Sequence, residues 1–362
     1  MGLFFVVAGL ILFLMQGVLG LWFFYLFPAA GWKLPAIAFP LLLTVAVEGI
    51  LVYTRTHYGA WENVLYYLGY TWAGLVFILF FVVLVFALLA GLLALTPWQA
   101  RPVLAPLSLL VIFGFSIAAI AGGLRAPKLK HLDLVLPQAP QMTLAVISDS
   151  HLGSGVSLAR FQKELDRLQA QNPDALLVLG DLFEYGARRE DYAAALARFK
   201  TKYGSFGVLG NHEYYAGLDN SLDFFRRAHI TLLQNRVHTL PNGLQLIGVE
   251  DIQTAHVSAA ELDELLGQSD PARTRLLLSH QPLLSEVAAR HRIALMLSGH
   301  THNGQIFPFN FFVKLKYRYV YGLYELTEHT KLYVTSGMFY WGMPLRLFAP
   351  SEMMVLHLKN HD

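Results

Sequence analysis

The segment Leu144-Ala145-Val146-Ile147-Ser148-Asp149-Ser150-His151 couples a short apolar run, the length of a buried strand, to an aspartate and a histidine. The pattern returns four times. ALLVL (175–179) runs into Gly180-Asp181, and FGVL (206–209) into Gly210-Asn211-His212-Glu213. RLLL (275–278) runs into Ser279-His280, and ALML (294–297) into Ser298-Gly299-His300-Thr301-His302. Side chains just past the carboxyl ends of several strands share one crevice, which is where open α/β sheets bind ligands. Three carboxylate or amide groups and four imidazoles converging there would suit two divalent metals.

Around these motifs the pattern alternates between strand and helix. Residues 157–170 (SLARFQKELDRLQA) place Leu158, Phe161, Leu165 and Leu168 at helical spacing behind a Ser157 cap. Residues 190–202 and 258–267 have similar character, and Ser258 with Glu261 has the spacing of a capping box. Further short strands are expected at 231–233, 244–249, 293–298, 331–335 and 353–358. This order predicts a layered α/β domain over residues 142–362, with sheets inside and helices outside. Residues 125–141 read as a linker, with an apolar alternation at Leu132, Leu134 and Leu136 that suits an edge strand.

The first third is unlike the rest. Residues 1–124 hold five charged side chains: Lys33, Glu48, Arg55, Glu62 and Arg101. Four apolar stretches, 3–27, 35–53, 71–95 and 103–124, approach or exceed the roughly 20 residues a helix needs to cross a bilayer. Pro28, Pro35, Pro97 and Pro102 punctuate their ends, and Trp22, Trp32, Trp61, Trp72 and Trp98 lie near those ends or in the connections. The start lacks a positive n-region and its apolar run is long, so a transmembrane domain is expected over 1–124 rather than a cleaved signal. Glu48, the one carboxylate inside a stretch, lies near its end and within reach of the interface. Arg55, Arg125, Lys128 and Lys130 fall on the side of the catalytic half, against Lys33 and Arg101 on the other. That bias predicts a cytoplasmic catalytic domain. The net charge of +2 averages two unlike halves and gives no basic face for nucleic acid. With no cysteine, disulfides and thiolate metal sites are excluded.

The five ordered motifs resemble those of the calcineurin-like metallophosphoesterase family over roughly 142–358. The stretch from Gly299 to His302, running into Gly304-Gln305, resembles membrane-associated bacterial members. The resemblance implies a four-layer αββα sandwich with a dimetal site at the strand ends. Matched motif by motif, it implies that Asp149, His151 and His302 hold one metal, that Asn211, His280 and His300 hold the other, and that Asp181 bridges them. Manganese, iron or zinc would serve, with manganese favoured. It also implies that His212 stands near the leaving group as general acid or electrostatic stabiliser. Glu213 either orients His212 or makes a fold-stabilising hydrogen bond. His131, His229, His238, His256, His291, His329, His357 and His361 fit no motif and read as surface or structural.

A phosphoesterase or pyrophosphatase anchored in a bacterial inner membrane is the leading expectation, acting on a phosphate that is lipid-linked. UDP-2,3-diacylglucosamine, a substrate of similar bacterial enzymes, is one candidate by analogy. The alternatives are a catalytically silent membrane sensor and a soluble-nucleotide phosphodiesterase held at the membrane. Residues 307–324 (FPFNFFVKLKYRYVYGLY) read either as a β-ribbon on the sandwich edge or as a surface for lipid headgroups. Met338-Phe339-Tyr340-Trp341 fits a pocket wall or a packed core equally well.

Overall fold

The computed structural model describes residues 2–27, 35–54, 56–184 and 189–360, with residues 2–5 and 35–38 as backbone only. Pro28, Trp32, Lys33, Arg55 and His361 therefore lie outside the described residues. The chain divides into two compact units. One is Met1–Arg125 with Ile306–Pro308 and Gly342–Phe348; the other is Ala126–Gln305 with Phe309–Trp341 and Ala349–Asp362.

The first unit is helical: α1 Gly2–Leu26, α2 Pro35–Tyr53, α3 Ala60–Leu93 and α4 Arg101–Leu124. Helices form at all four expected places. Three are long and apolar enough to cross a membrane, over Val6–Leu26, Ala60–Leu93 and Arg101–Leu124, while the apolar part of α2, Phe39–Tyr53, is shorter. Leu10, Leu14, Leu42, Leu88, Leu110 and Phe113 are exposed on the outside, as lipid contact requires. Two polar pairs meet between helices instead. Gln16 Nε2 donates to Thr44 Oγ1 at 2.8 Å, and Trp22 Nε1 to Ser108 Oγ at 3.2 Å. Two pieces from the second half of the chain complete this unit: Ile306, Leu345 and Leu347 are buried with Ile78 and Ala119. Gly123 of α4 lies so close to this segment that a Cβ there would come within 2.1 Å of the Pro344 carbonyl oxygen, so only glycine permits the contact.

The second unit holds two six-stranded sheets. The first runs β1-β12-β2-β3-β4-β5 and the second β10-β11-β9-β8-β7-β6. Their ranges are β1 Lys128–Leu136, β2 Met142–Ile147, β3 Ala175–Val178, β4 Ser205–Gly207, β5 Ile230–Leu232, β6 Arg236–Thr239, β7 Gln245–Gly248, β8 Arg275–Leu278, β9 Leu295–Ser298, β10 Gly322–Thr327, β11 Thr330–Val334 and β12 Glu352–Asn360. β2, β3, β4 and β5 are parallel, as are β7, β8, β9 and β11.

Period-two alternation explains the layering. Leu144 and Val146 of β2 pack with Leu177, Leu246, Leu276, Leu278, Leu295 and Leu297 in a core between the sheets. Ala145 and Ile147, pointing the other way, pack with Phe161, Leu165 and Leu168 of the helix Leu158–Gln169. On the opposite side Ile247, Leu277 and Met296 pack with Leu262, Leu265 and Leu266 of the helix Ala259–Gly267. Three cores separate four layers, so the αββα sandwich is as expected. Each fully buried leucine or phenylalanine contributes about 1.5–3 kcal/mol. The caps also form: Ser157 Oγ accepts from the Arg160 N–H at 3.2 Å, and Ser258 with Glu261 makes the reciprocal capping box. The helix expected over 190–202 is shorter, Arg189–Ala197.

The expected edge strand forms within 125–141: β1 is the edge of the first sheet, parallel to β12 with His131 opposite Val355, so residues 128–136 belong to that sheet and not to a linker. By contrast, 307–324 is not a ribbon. Phe309–Lys316 is a helix, and strand structure begins only with β10, paired antiparallel to β11.

Candidate metal centre

The parallel strands end together, and their exits are laced by the backbone. The Asp149 N–H donates to the Gly180 carbonyl at 3.1 Å and the His151 N–H to the Asp181 carbonyl at 3.0 Å, tying the exit of β2 to that of β3. The exits of β3 and β4 are drawn together by Glu213, which is fully buried. Its carboxylate accepts from the N–H groups of Asp181 at 2.8 Å, Leu182 at 2.7 Å and Gly210 at 2.6 Å. Of the two readings open for Glu213, the hydrogen bonds are those of a fold stabiliser. Gly180, at φ 87°, passes so near Gly210 that a Cβ would lie 2.5 Å from its nitrogen. Five of the seven expected ligands, Asp149, His151, Asp181, His300 and His302, have left-handed backbone, with φ between 41° and 69°. Such conformations are uncommon outside glycine and cluster at functional sites.

The donor atoms converge. Asp149, His151 and His302 form one group and Asp181, His280 and His300 another, each able to hold a metal ion. His151 Nε2 lies 3.0 Å from His302 Nε2, and His302 Nε2 3.4 Å from Asp149 Oδ1. In the second group His280 Nε2 lies 3.2 Å from each of Asp181 Oδ2, His300 Nδ1 and Asn211 Oδ1. Ligands about 2.1 Å from a shared ion sit about 3.0 Å apart in an octahedron and about 3.4 Å apart in a tetrahedron. The donor set therefore fits divalent metal on both sides. Asp181 Oδ2 also reaches within 3.9 Å of His151 Nε2, the in-between position a bridging carboxylate needs.

The far side of each imidazole matters as much. His280 Nδ1 donates to the Leu179 carbonyl at 2.7 Å and His151 Nδ1 to Glu184 Oε1 at 2.6 Å, so in each ring Nε2 is the nitrogen left to face the centre. Asp149 is held by Ser148 Oγ at 2.5 Å and by the His300 N–H at 3.0 Å.

The side-chain charges by themselves are strongly coupled. Burial, aided by Asp181, raises the Asp149 carboxyl above its ordinary range. Burial acts the same way on Asp181 but loses to the surrounding imidazoles, His280 foremost, which hold it well below. Burial opposes a charged His280, yet Asp181 outweighs it and raises the imidazole well above its ordinary value. His300 is pushed down to about 3 by burial and then by the charge of His280. Metal binding takes the place of protons at sites of this kind.

His212 adjoins the same centre, and its ligand atom groups with those of His151 and Asp181 as a third set able to hold an ion. Its Nδ1 lies 2.7 Å from Glu184 Oε1, the oxygen that also receives His151. Burial disfavours the imidazolium, but Glu184 and Asp181 overcome that and raise His212 to about 9. Glu184 moves the opposite way, to about 2: burial pushes up and His212 and His151 pull further down. Glu184 was missed by the motif reading. The available signal was a carboxylate three residues after Asp181 on the same strand-exit loop. Around His212 stand two half-exposed aromatic rings, Tyr215 at 5.4 Å and Trp341 at 5.7 Å between centroids. Met338, Phe339 and Tyr340 are buried, as the packed-core reading has it, while Trp341 is half-exposed. Gln305 clamps Trp341 by its backbone, donating from Nε2 to the carbonyl at 3.0 Å and accepting the N–H at 2.8 Å.

A family model described as calcineurin-like phosphoesterase matches residues 142–304. An uncharacterized metallophosphoesterase of Campylobacter jejuni is 36% identical over 260 residues, spanning 70% of this chain and 69% of that protein. The chain belongs to the calcineurin-like phosphoesterase family. A metallophosphoesterase of Helicobacter pylori strain J99 is 35% identical over 254 residues, spanning 69% of this chain and 68% of its own. A transmembrane protein with metallophosphoesterase domain from Danio rerio is 29% identical over 272 residues, spanning 70% of this chain and 62% of its own. As a metallophosphoesterase the chain is a metal-dependent phosphoester hydrolase, and its apolar helices make the N-terminal region a membrane anchor.

Proposed function

We propose that this metallophosphoesterase uses two divalent ions, manganese favoured, to hydrolyse a phosphate ester or pyrophosphate carried on a lipid. In this reading Asp149, His151 and His302 hold one ion, Asn211, His280 and His300 the other, and Asp181 both. Two ions held there would activate a water for attack and offset charge on the phosphoryl oxygens. The rest falls to the chain itself. His212, whose charged form Glu184 favours, donates its proton to the leaving oxygen. Trp341 and Tyr215 wall the side from which that group departs.

The lipid-linked substrate rests on one observation. The helix Phe309–Lys316, seven residues past His302, exposes Phe309, Phe311, Phe312 and Leu315 and carries Lys314 and Lys316 in its last turn. Leu315 is 85% exposed, in a chain that already has helices suited to a bilayer. Aromatics and cations favour the interface, and each cation near an anionic surface contributes about 1 kcal/mol. Gly304 lies against the backbone of Asn310, where a Cβ would come to 2.3 Å, so this helix abuts the loop bearing His300 and His302. The excess of Arg125, Lys128 and Lys130 after α4 favours the cytoplasmic side of a bacterial inner membrane for the catalytic unit.

The double substitution Phe311→Glu, Leu315→Glu tests the reading. Turnover of a phospholipid-linked diester in vesicles should fall about tenfold, while a small aryl phosphodiester is cleaved as before. Equal activity of variant and parent on both substrates would exclude a lipid-facing role for this helix.

A further inference from the structure

His151 and His280 have their ring protons fixed by groups that can only accept, but the partner of His300 is a hydroxyl. Tyr317 Oη lies 2.8 Å from His300 Nε2, and a hydroxyl can either donate or accept. If it donated, the His300 proton would be forced onto Nδ1, the nitrogen that faces His280 and the metal group.

The surroundings of Tyr317 remove the ambiguity. Asp251 is fully buried, and Gln281 Nε2 donates to its two carboxylate oxygens at 2.8 and 3.0 Å. Turning the amide over would set its oxygen against both of those oxygens, so the orientation of Gln281 follows from the carboxylate. Gln281 Oε1 then faces Tyr317 Oη at 3.1 Å and can only accept. A second amide oxygen, Gln253 Oε1, lies 3.5 Å from the same hydroxyl and is identified as oxygen by Lys316 Nζ, which donates to it at 3.0 Å. The tyrosine proton points to these oxygens, leaving the hydroxyl lone pair for His300.

We infer that the relay Asp251–Gln281–Tyr317 sets the tautomer of His300, protonating Nε2 and leaving Nδ1 bare as a metal ligand. Tyr317 is thus a positioning residue that acts through His300 and touches no reacting atom. Its site in the fold suits that role: it directly follows the helix Phe309–Lys316, and its side chain lies within the second unit beside Gln281, one residue beyond His280. The inference rests on His300 being a ligand of the dimetal centre.

Two measurements on the full-length chain test it. In metal-free protein labelled with ¹⁵N-histidine, the His300 signals should be those of an imidazole carrying its proton on Nε2. In Tyr317→Phe the two tautomers should mix, and titration with Mn²⁺ should show one of two ions weakened about 10–100-fold and the other unchanged. A His300 protonated on Nδ1 in the unsubstituted protein would overturn the inference whatever the stability of the variant. So would a folded Tyr317→Phe protein that binds both ions with undiminished affinity. An unsubstituted protein that binds fewer than two Mn²⁺ would instead overturn the dimetal reading beneath it.

Discussion

Replacing Glu184 by Gln removes one charge and keeps an oxygen that can still accept from both His151 and His212. The consequence follows from the geometry. Opposite charges about 4 Å apart interact by about 4 kcal/mol at an effective dielectric constant of about 20. A quarter of the Glu184 side chain is open to solvent, at 25%, so about half of that is the appropriate figure. About 2 kcal/mol corresponds to about 1.5 pKa units. His212, raised to about 9 in the parent, should therefore titrate near about 7.5 in Glu184→Gln metal-free protein, read by ¹⁵N NMR. The sign is fixed: losing an anion destabilises the imidazolium, so its proton leaves at lower pH. Bound cations will depress both values but leave the difference, and the alkaline limb of kcat should move to lower pH by a similar amount. At pH 8 the protonated fraction would drop from about nine-tenths to about a quarter. A His212 pKa unchanged or raised in Glu184→Gln would refute the reasoning.

Other substitutions separate the parts of the site. His212→Ala should retain both metals and lose about 10²–10⁴-fold in kcat, less for substrates with good leaving groups; equal losses across leaving groups would point to positioning instead of proton donation. Gly299→Ala should impair metal binding, because its Cβ would come to 2.0 Å from Ser148 Oγ and 2.3 Å from Asp149 Oδ2; undiminished metal affinity would show that the loop relaxes freely. Phe161→Ala, deep between helix and sheet, should cost about 3–5 kcal/mol and lower Tm by about 10 °C, with metal content unaltered in the folded fraction. Protease protection in oriented vesicles should place the second unit on the cytoplasmic side, and digestion only from the other face would contradict that.

Much of the centre was legible because each motif is local. A strand, a tight exit and a ligand lie within a few residues, as from Leu144 to His151, so a linear reading captures all three. What was missed is what the fold brings in from outside those stretches. Glu184 follows Asp181 by three residues with nothing apolar and periodic to mark it, and Tyr317 reaches His300 only once a helix stands between them in sequence. β1 illustrates the same limit at the scale of a sheet: its alternation was visible, but its partner β12 begins more than 200 residues later. The helix Phe309–Lys316 was ambiguous for another reason. Its aromatics favour strands as readily as helices, and with no buried residue in it the periodicity that reports a packed face is missing. Glu213 sits within a motif and its two readings stayed open, because adjacency to His212 in sequence says nothing of which way a carboxylate points.

The central claim is that seven side chains form one centre for two metals, with Asp181 common to both. Metal content and turnover of a generic aryl phosphodiester, measured together on the full chain and on Asp181→Ala, test it most directly. The account predicts two ions per chain, activity lost on chelation and restored by Mn²⁺, and a variant that neither holds the pair nor turns over. Full activity after exhaustive chelation, or an Asp181→Ala protein that retains both ions and its rate, would contradict it.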